Sequence, residues 1–273
     1  MSHVLTIARL ELMAAARLKW IRLLTAAFAL LAAAAAYSAG AVGELSGADG
    51  FARTTMALVP VSLILIPLAA VILGVSGQSA DGGEPFLFGQ PITRAGVLIG
   101  RWIGEATALG GAIVFGFGVG AIVIASSAGT EGLLGYAFFV AASAMLAIIF
   151  LSIAAAIGVA TEKRVTALGI GTFTWFLFVL LYDGIALSVA GWLTGRIGGR
   201  VLFASIFANP ADLVRITMLR AGGTANVLGA AGEAWTRFLG GEVAANAAAS
   251  VALLIWATAP LLFAARVLRT RDL

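Results

Sequence analysis

The sequence predicts an all-α integral membrane protein with six transmembrane helices and both termini in the cytoplasm. Three observations carry that reading. Of 273 residues, 61% are hydrophobic and only 11% charged, against about 25% charged in soluble domains; mean hydropathy is +1.05. The charges are clumped, so uncharged runs recur that are long enough to cross a bilayer core roughly 30 Å thick, about 20 helical residues each. Lys and Arg also fall mostly on one side of those runs.

The runs define the elements in order. Residues 3–20 read as an interfacial helix, helical by composition but with charges around several faces. Arg22 to Glu44 encloses 21 uncharged residues, giving a first span at about 22–42. Its apolar core exceeds that of a secretory signal, so the expectation is a retained helix rather than a cleaved leader. Arg53 to Asp81 encloses 27, for a span at about 56–77; Pro60 and Pro67 within it predict a bend. Glu105 to Glu131 encloses 25 and Glu131 to Glu162 encloses 30, for spans at about 97–126 and 134–160. Arg164 to Asp183 encloses 18, extendable past Asp183 to Trp192, for a fifth span at 165–192. Glu242 to Arg266 encloses 23, for a sixth at 244–266. Trp20, Trp192 and Trp256 are expected near span ends as interfacial anchors.

Loops on one side hold Arg9, Arg17, Lys19, Arg22, Arg94, Arg101, Lys163, Arg164, Arg266, Arg269 and Arg271; the short loops on the other hold Arg53 alone. That imbalance assigns the richer side to the cytoplasm. The long loop 193–243 carries five further arginines, but long loops count for less in that rule.

Composition closes several chemistries. There is no cysteine and a single histidine, His3. Thiolate, Cys-ligated and His-cluster metal sites are therefore excluded, and a metal site is not expected. A copper path through a chain with five methionines and no cysteine is equally unexpected. Acids and bases are nearly absent from the spans, where coupled carriers keep them. Glu105 lies one turn inside the third span, four residues after Arg101. Asp183 is 18 residues or more from the start of the fifth, near the outer surface. The 34 glycines include Gly100, Gly104, Gly116 and Gly120 at four-residue spacing, a pattern for close helix packing.

Two loops carry candidate binding residues. The cytoplasmic segment 78–96 contains Glu84, Pro85, Phe86, Leu87 and Phe88, then Gln90, Pro91 and Arg94. Exposed aromatics between prolines either tuck against the protein or dock into a partner. The outer loop 193–243 contains a helix start at Asn209-Pro210-Ala211-Asp212, an Asn cap followed by Pro and an acid. That helix is expected to reach Arg220 and stop at Gly222-Gly223, with Phe203, Ile206 and Phe207 before it lying in the interface. It reads as a cover over the helix ends or a platform for an extracytoplasmic partner.

A phosphate-binding loop needs Gly-Lys-Ser/Thr. The only lysines, Lys19 and Lys163, follow Leu18 and Glu162, so this chain cannot complete that motif. It is not expected to be an enzyme, and any work it does draws on a partner or a gradient.

Taken in order, the residues resemble the permease subunits of ABC-2-type transporters, and among them those of the nitrous oxide reductase maturation systems. Ile7-Ala8-Arg9 with Glu11, Arg17, Lys19 and Trp20 is similar to the opening helix. Gln90-Pro91-Ile92-Thr93-Arg94 with Leu98-Ile99-Gly100-Arg101 is similar to the coupling segment and third span. Leu181-Tyr182-Asp183 and Asn209-Pro210-Ala211-Asp212-Leu213-Val214-Arg215 are similar to the end of the fifth span and the outer loop. The run ahead of Gln90 departs from the pattern, with only Asp81 and Glu84 charged. The resemblance implies an exporter-like ABC-2 architecture and a homodimer in the bacterial inner membrane. It implies two cytoplasmic ABC ATPase subunits that hold ATP and Mg, with residues 84–94 as their docking site. It also implies a periplasmic NosD-like partner, for which Tyr182, Asp183, Asn209, Pro210, Asp212 and Arg215 form the candidate platform, and a role in copper-site assembly. An ABC-2 exporter of other cargo and, from a different class, a stand-alone secondary carrier stay open at this point.

Overall fold

The structure is a computed structural model that describes residues 2–40, 47–78, 93–193, 196–221 and 235–270. Its regular elements are helical. They are α1 (Ser2–Arg17), α2 (Lys19–Gly40), α3 (Gly47–Gln78), α4 (Arg94–Ala128), α5 (Leu133–Ala160), α6 (Arg164–Phe176), α7 (Tyr182–Trp192), α8 (Arg196–Ala208), α9 (Pro210–Ala221) and α10 (Glu242–Thr270). A π-helical turn, Leu177–Leu181, joins α6 to α7. Among the described residues six helical stretches are long and apolar enough to cross a membrane, namely α2, α3, α4, α5, the joined α6–α7 and α10, and the bent pair α8–α9 would make a seventh if counted as one span. The sequence located all six. The second begins earlier than expected, at Gly47, and takes in Asp49 and Arg53; it runs on as one helix through Pro60 and Pro67.

Small residues decide how α1 and α2 meet α4. The chain breaks at Leu18, between α1 and α2. Gly100 and Gly104 of α4 lie against Ile7, the Ala8 carbonyl and Glu11 of α1. Further along, Gly116 and Gly120 lie against Phe28 and Ala32 of α2. The contacts advance together along both chains, so α1 and α2 run parallel to α4. A Cβ at Gly104 would stand 2.6 Å from the Ala8 carbonyl oxygen and 3.0 Å from the Leu12 nitrogen, both backbone atoms that cannot give way. The four-residue glycine spacing is thus used within the chain; Gly110, Gly111 and Gly118 meet no neighbour.

The core lies between α3 and α5, which also run parallel: Gly132 meets Phe51 at one end and Gly158 meets Gln78 at the other. Their span windows are 61% and 56% buried, against 11% for α6–α7 and 17% for α10. The latter two therefore form the outer wall of the bundle. Aromatic rings link α2, α4 and α5 through Phe28–Phe117 at 5.0 Å and Phe117–Phe139 at 5.2 Å, and α3 joins through Phe51–Tyr136 at 5.5 Å. The Tyr136 hydroxyl, buried among them, donates to the Phe117 carbonyl at 2.9 Å, as a phenol in an apolar interior must find a partner.

The outer loop departs from the sequence reading. Phe203, Ile206 and Phe207 do not lie flat over the helix ends. Instead α8 and α9 form a hairpin bent by 94° at Asn209. Its tip reaches the middle of the neighbouring spans: the Phe207 carbonyl accepts from Trp256 Nε1 at 3.0 Å, and Asn209 Nδ2 donates to the Phe178 carbonyl at 2.9 Å. Trp256 stands 14 residues from either end of α10, about 21 Å at 1.5 Å per residue. It is a mid-span residue, not the interfacial anchor its composition suggested. Its indole also packs on Phe178 at 5.6 Å, and Phe207 stacks on Trp235 at 5.1 Å. The buried Leu213, Val214 and Met218 carry α9 into the core.

Candidate functional site

Two polar regions lie at opposite ends of the bundle. The first is at the end that carries both termini. Thr93 caps α4, its hydroxyl accepting from the Gly96 amide at 3.2 Å. Arg94 is the first residue of that helix and is half-buried. Glu84, Pro85, Phe86, Leu87, Phe88, Gln90 and Pro91 lie outside the described residues. About two turns into α4, Arg101 donates to the Gly77 carbonyl at 3.1 Å, closing the last turn of α3. Arginine is well placed there, because carbonyls at a helix C-terminus carry negative partial charge and lack internal donors.

Two acids flank Arg101. Glu11 of α1 is half-buried. Burial pushes its carboxyl up from the usual carboxylate range, opposed by the positive charge of Arg101. Glu105, four residues on, is fully buried with its carboxylate against Gly77. Neither of its oxygens has a hydrogen-bond partner. The sequence placed Glu105 beside Arg101 but gave no sign that α1 and α3 enclose both.

The second region is the joint between the hairpin and the fifth span, and here the platform residues come together. Pro210 starts α9 and Asn209 precedes it, the Asn209 Oδ1 accepting from the Ala211 amide at 3.0 Å. The same side chain donates through Nδ2 to Asp212 Oδ2 at 2.8 Å and to the Phe178 carbonyl. In the π-helical turn the Tyr182 amide bonds back to the Leu177 carbonyl. Such turns widen the ladder and commonly leave a carbonyl looking for another donor, and Asn209 supplies one next door. Arg215 bridges Asp212 Oδ1 at 2.7 Å and Asp183 Oδ2 at 2.9 Å. The Tyr182 hydroxyl donates to the Ser205 carbonyl of α8 at 2.8 Å.

Every platform residue except Pro210 thus makes a polar contact within the chain through its side chain. Asp212 is buried, whereas Asp183 and Arg215 keep 53% and 40% of their side chains exposed, so those two alone offer charge to the outside. Sequence reasoning found the cap and the acid–base residues but missed Phe178 and Trp256. A tryptophan midway along a span was an available signal, since its N–H needs an acceptor inside the protein. Among the described residues no group of three or more His, Asp or Glu could hold a metal ion.

The bundle and its inserted hairpin match a known family over nearly the whole chain: the model of the ABC-2 family transporter proteins covers residues 5–273. The chain belongs to the ABC-2 family. It is 29% identical to a protein described as "Probable ABC transporter permease protein NosY" from Pseudomonas aeruginosa, an alignment covering 100% of both chains. It is also 29% identical over 203 residues to one of the same description from Stutzerimonas stutzeri, covering 72% of this chain and 71% of that one. ABC-2 permeases are non-catalytic membrane subunits that work with separate ATPase subunits. The missing phosphate-binding motif is what such a division of labour requires.

Proposed function

We propose that this ABC-2 permease works in the bacterial inner membrane as a homodimer carrying two cytoplasmic ATPase subunits, and that the complex serves nitrous oxide reductase copper-site maturation. The observation that supports the finer reading is the likeness to two permeases described as NosY, end to end in one and over 72% of this chain in the other. In this reading residues 84–94, from Glu84 to Arg94, receive ATP-driven motion from the ATPase. Arg101 and the capped start of α4 pass it to α3 and α1. Asp183 and Arg215, the exposed part of the outer joint, present charge to a periplasmic NosD-like partner. The weakly buried α6–α7 and α10 supply apolar surface for lipid and for a second copy. Whether the complex moves a cargo or transmits force to its partner, energy enters at one end and leaves at the other.

The test is affinity purification of the tagged chain in mild detergent from its native membrane, with partners identified by mass spectrometry. The expected result is an ATPase at one-to-one stoichiometry and a co-purifying periplasmic protein. Phe86→Asp with Phe88→Asp should remove the ATPase while the periplasmic protein stays. An ATPase without a periplasmic partner would favour an exporter of other cargo on the same ABC-2 plan. A chain that arrives alone even after crosslinking would overturn the ATPase reading.

A further inference from the structure

We propose that the outward face of α1, continued across the break at Leu18 into the first turn of α2, binds anionic phospholipid headgroups of the leaflet on the side of the termini.

The inward face of α1 is settled by its contacts: Ile7, Ala8, Glu11 and Leu12 pack on or near Gly100 and Gly104 of α4. What remains outward is an unpartnered mixture of cations and leucines. Arg9 and Arg17 are exposed two helical turns apart, and Lys19 and Arg22 extend the row past the break. Leu5 and Leu10 stand between them with 63% and 59% of their surface exposed. The one acid of α1, Glu11, is turned inward beside Arg101. The face therefore presents four positive charges and no negative one.

The outer end of the molecule shows what this chain does with arginines that have protein partners. Arg215 is held by Asp183 and Asp212, and Arg220 by Glu242. Among the described residues Arg9, Arg17 and Lys19 meet no such carboxylate, and the hydrogen bond seen in the row runs from Arg22 to the Arg17 carbonyl at 3.4 Å.

Depth selects the occupant. The first apolar span opens at Lys19, so these cations lie at the boundary where the hydrocarbon ends. Leucines there can enter the acyl region while the long basic side chains reach up to phosphate. Each Lys or Arg near an anionic surface adds measurably to the attraction, and the attraction is screened by salt. A zwitterionic headgroup carries the same phosphate with a compensating cation, so charge complementarity favours the net anionic lipid.

The experiment uses the full-length purified protein in nanodiscs of mixed phosphatidylcholine and phosphatidylglycerol, with the lipid shell retained on extraction read by native mass spectrometry. The wild-type chain should retain phosphatidylglycerol in excess of its share. Replacing Arg9, Arg17, Lys19 and Arg22 together by Gln should lower that preference at least about tenfold. Replacing Lys163, Arg164, Arg266 and Arg269 by Gln removes equal charge from the same end and should leave it. An undiminished preference in the first variant, or an equal loss in both, would overturn the proposal. So would a first variant that keeps its lipid preference but loses a co-purified ATPase, since a protein would then cover the face. Should the first variant fail to insert, photoactivatable phosphatidylglycerol on the unaltered protein gives the answer. Labelling concentrated in residues 2–22 supports the site, and labelling spread evenly over the spans sinks it.

Discussion

The two ends of this bundle handle charge in opposite ways. At the outer joint, Asn209, Asp212, Arg215 and Asp183 form one connected network, and the buried members are satisfied inside the chain. At the end with the termini, Glu105 is fully buried and unpaired while the cations of α1 face outward. A saturated polar network fixes one geometry, because each partner lost exposes another buried group. An unsaturated one leaves groups that can exchange partners. The outer hairpin is therefore built as a rigid fixture, and the end beside segment 78–96 as the adjustable one.

The comparison breaks most readily at Asn209. Asn209→Ala removes three hydrogen bonds and strands the Phe178 carbonyl in the interior, leaving Asp212 with Arg215 alone, at a cost of about 3 kcal/mol or more. Thermal unfolding of the purified protein should show a large loss, with proteolysis opening the hairpin first. Gly104→Leu should come next: the side chain meets the α1 backbone, and α1 must leave α4. The expected readout is protease sensitivity confined to α1, with the outer hairpin still protected.

Trp256→Phe keeps an aromatic six-membered ring but loses the rest of the indole and its bond to the Phe207 carbonyl, for about 1 kcal/mol or somewhat more measured by the same melt. Asp183→Asn breaks a half-exposed pair and should cost under about 1 kcal/mol. It would nonetheless weaken capture of the periplasmic partner if the platform reading holds. Glu11→Gln is the smallest. Burial raises the Glu11 carboxyl, so its charged form is disfavoured in the fold, and stability declines as pH rises through that raised value. The amide removes this dependence and should raise the melting temperature by no more than about 2 °C near neutral pH. A flat pH profile in the unaltered protein would show that Glu11 is not the group involved.

The spans were legible because a single strong signal, uncharged length, marks each of them, and the start of α9 was legible because its cap is local chemistry at Asn209; the expected stop at Gly222-Gly223 lies outside the described residues. The depth of α9 was not. Leu213, Val214 and Met218 look like one face of a surface helix, and only the contacts that Asn209 and Trp256 make across 31 and 49 residues of chain reveal an inserted one. The π-helical turn at Leu177–Leu181 has no mark in its composition. The burial of Glu105 arises from Gly77, a residue far along the chain whose missing side chain makes the room. Pairing over such distances is invisible to spacing.

The wide turn at Leu177–Leu181 has a last consequence. It sets the rotational phase of the upper half of its helix relative to the lower half. Below it, Gly171 meets Val71 of α3; above it, Tyr182 and Asp183 reach the hairpin. Deleting one residue from the regular helix on either side of it would leave ample length to cross the bilayer, but would turn everything beyond the deletion by about 100°. The helix would insert as before and point its two contacts at the wrong neighbours. In this segment the residue count is an angular setting rather than a matter of reach.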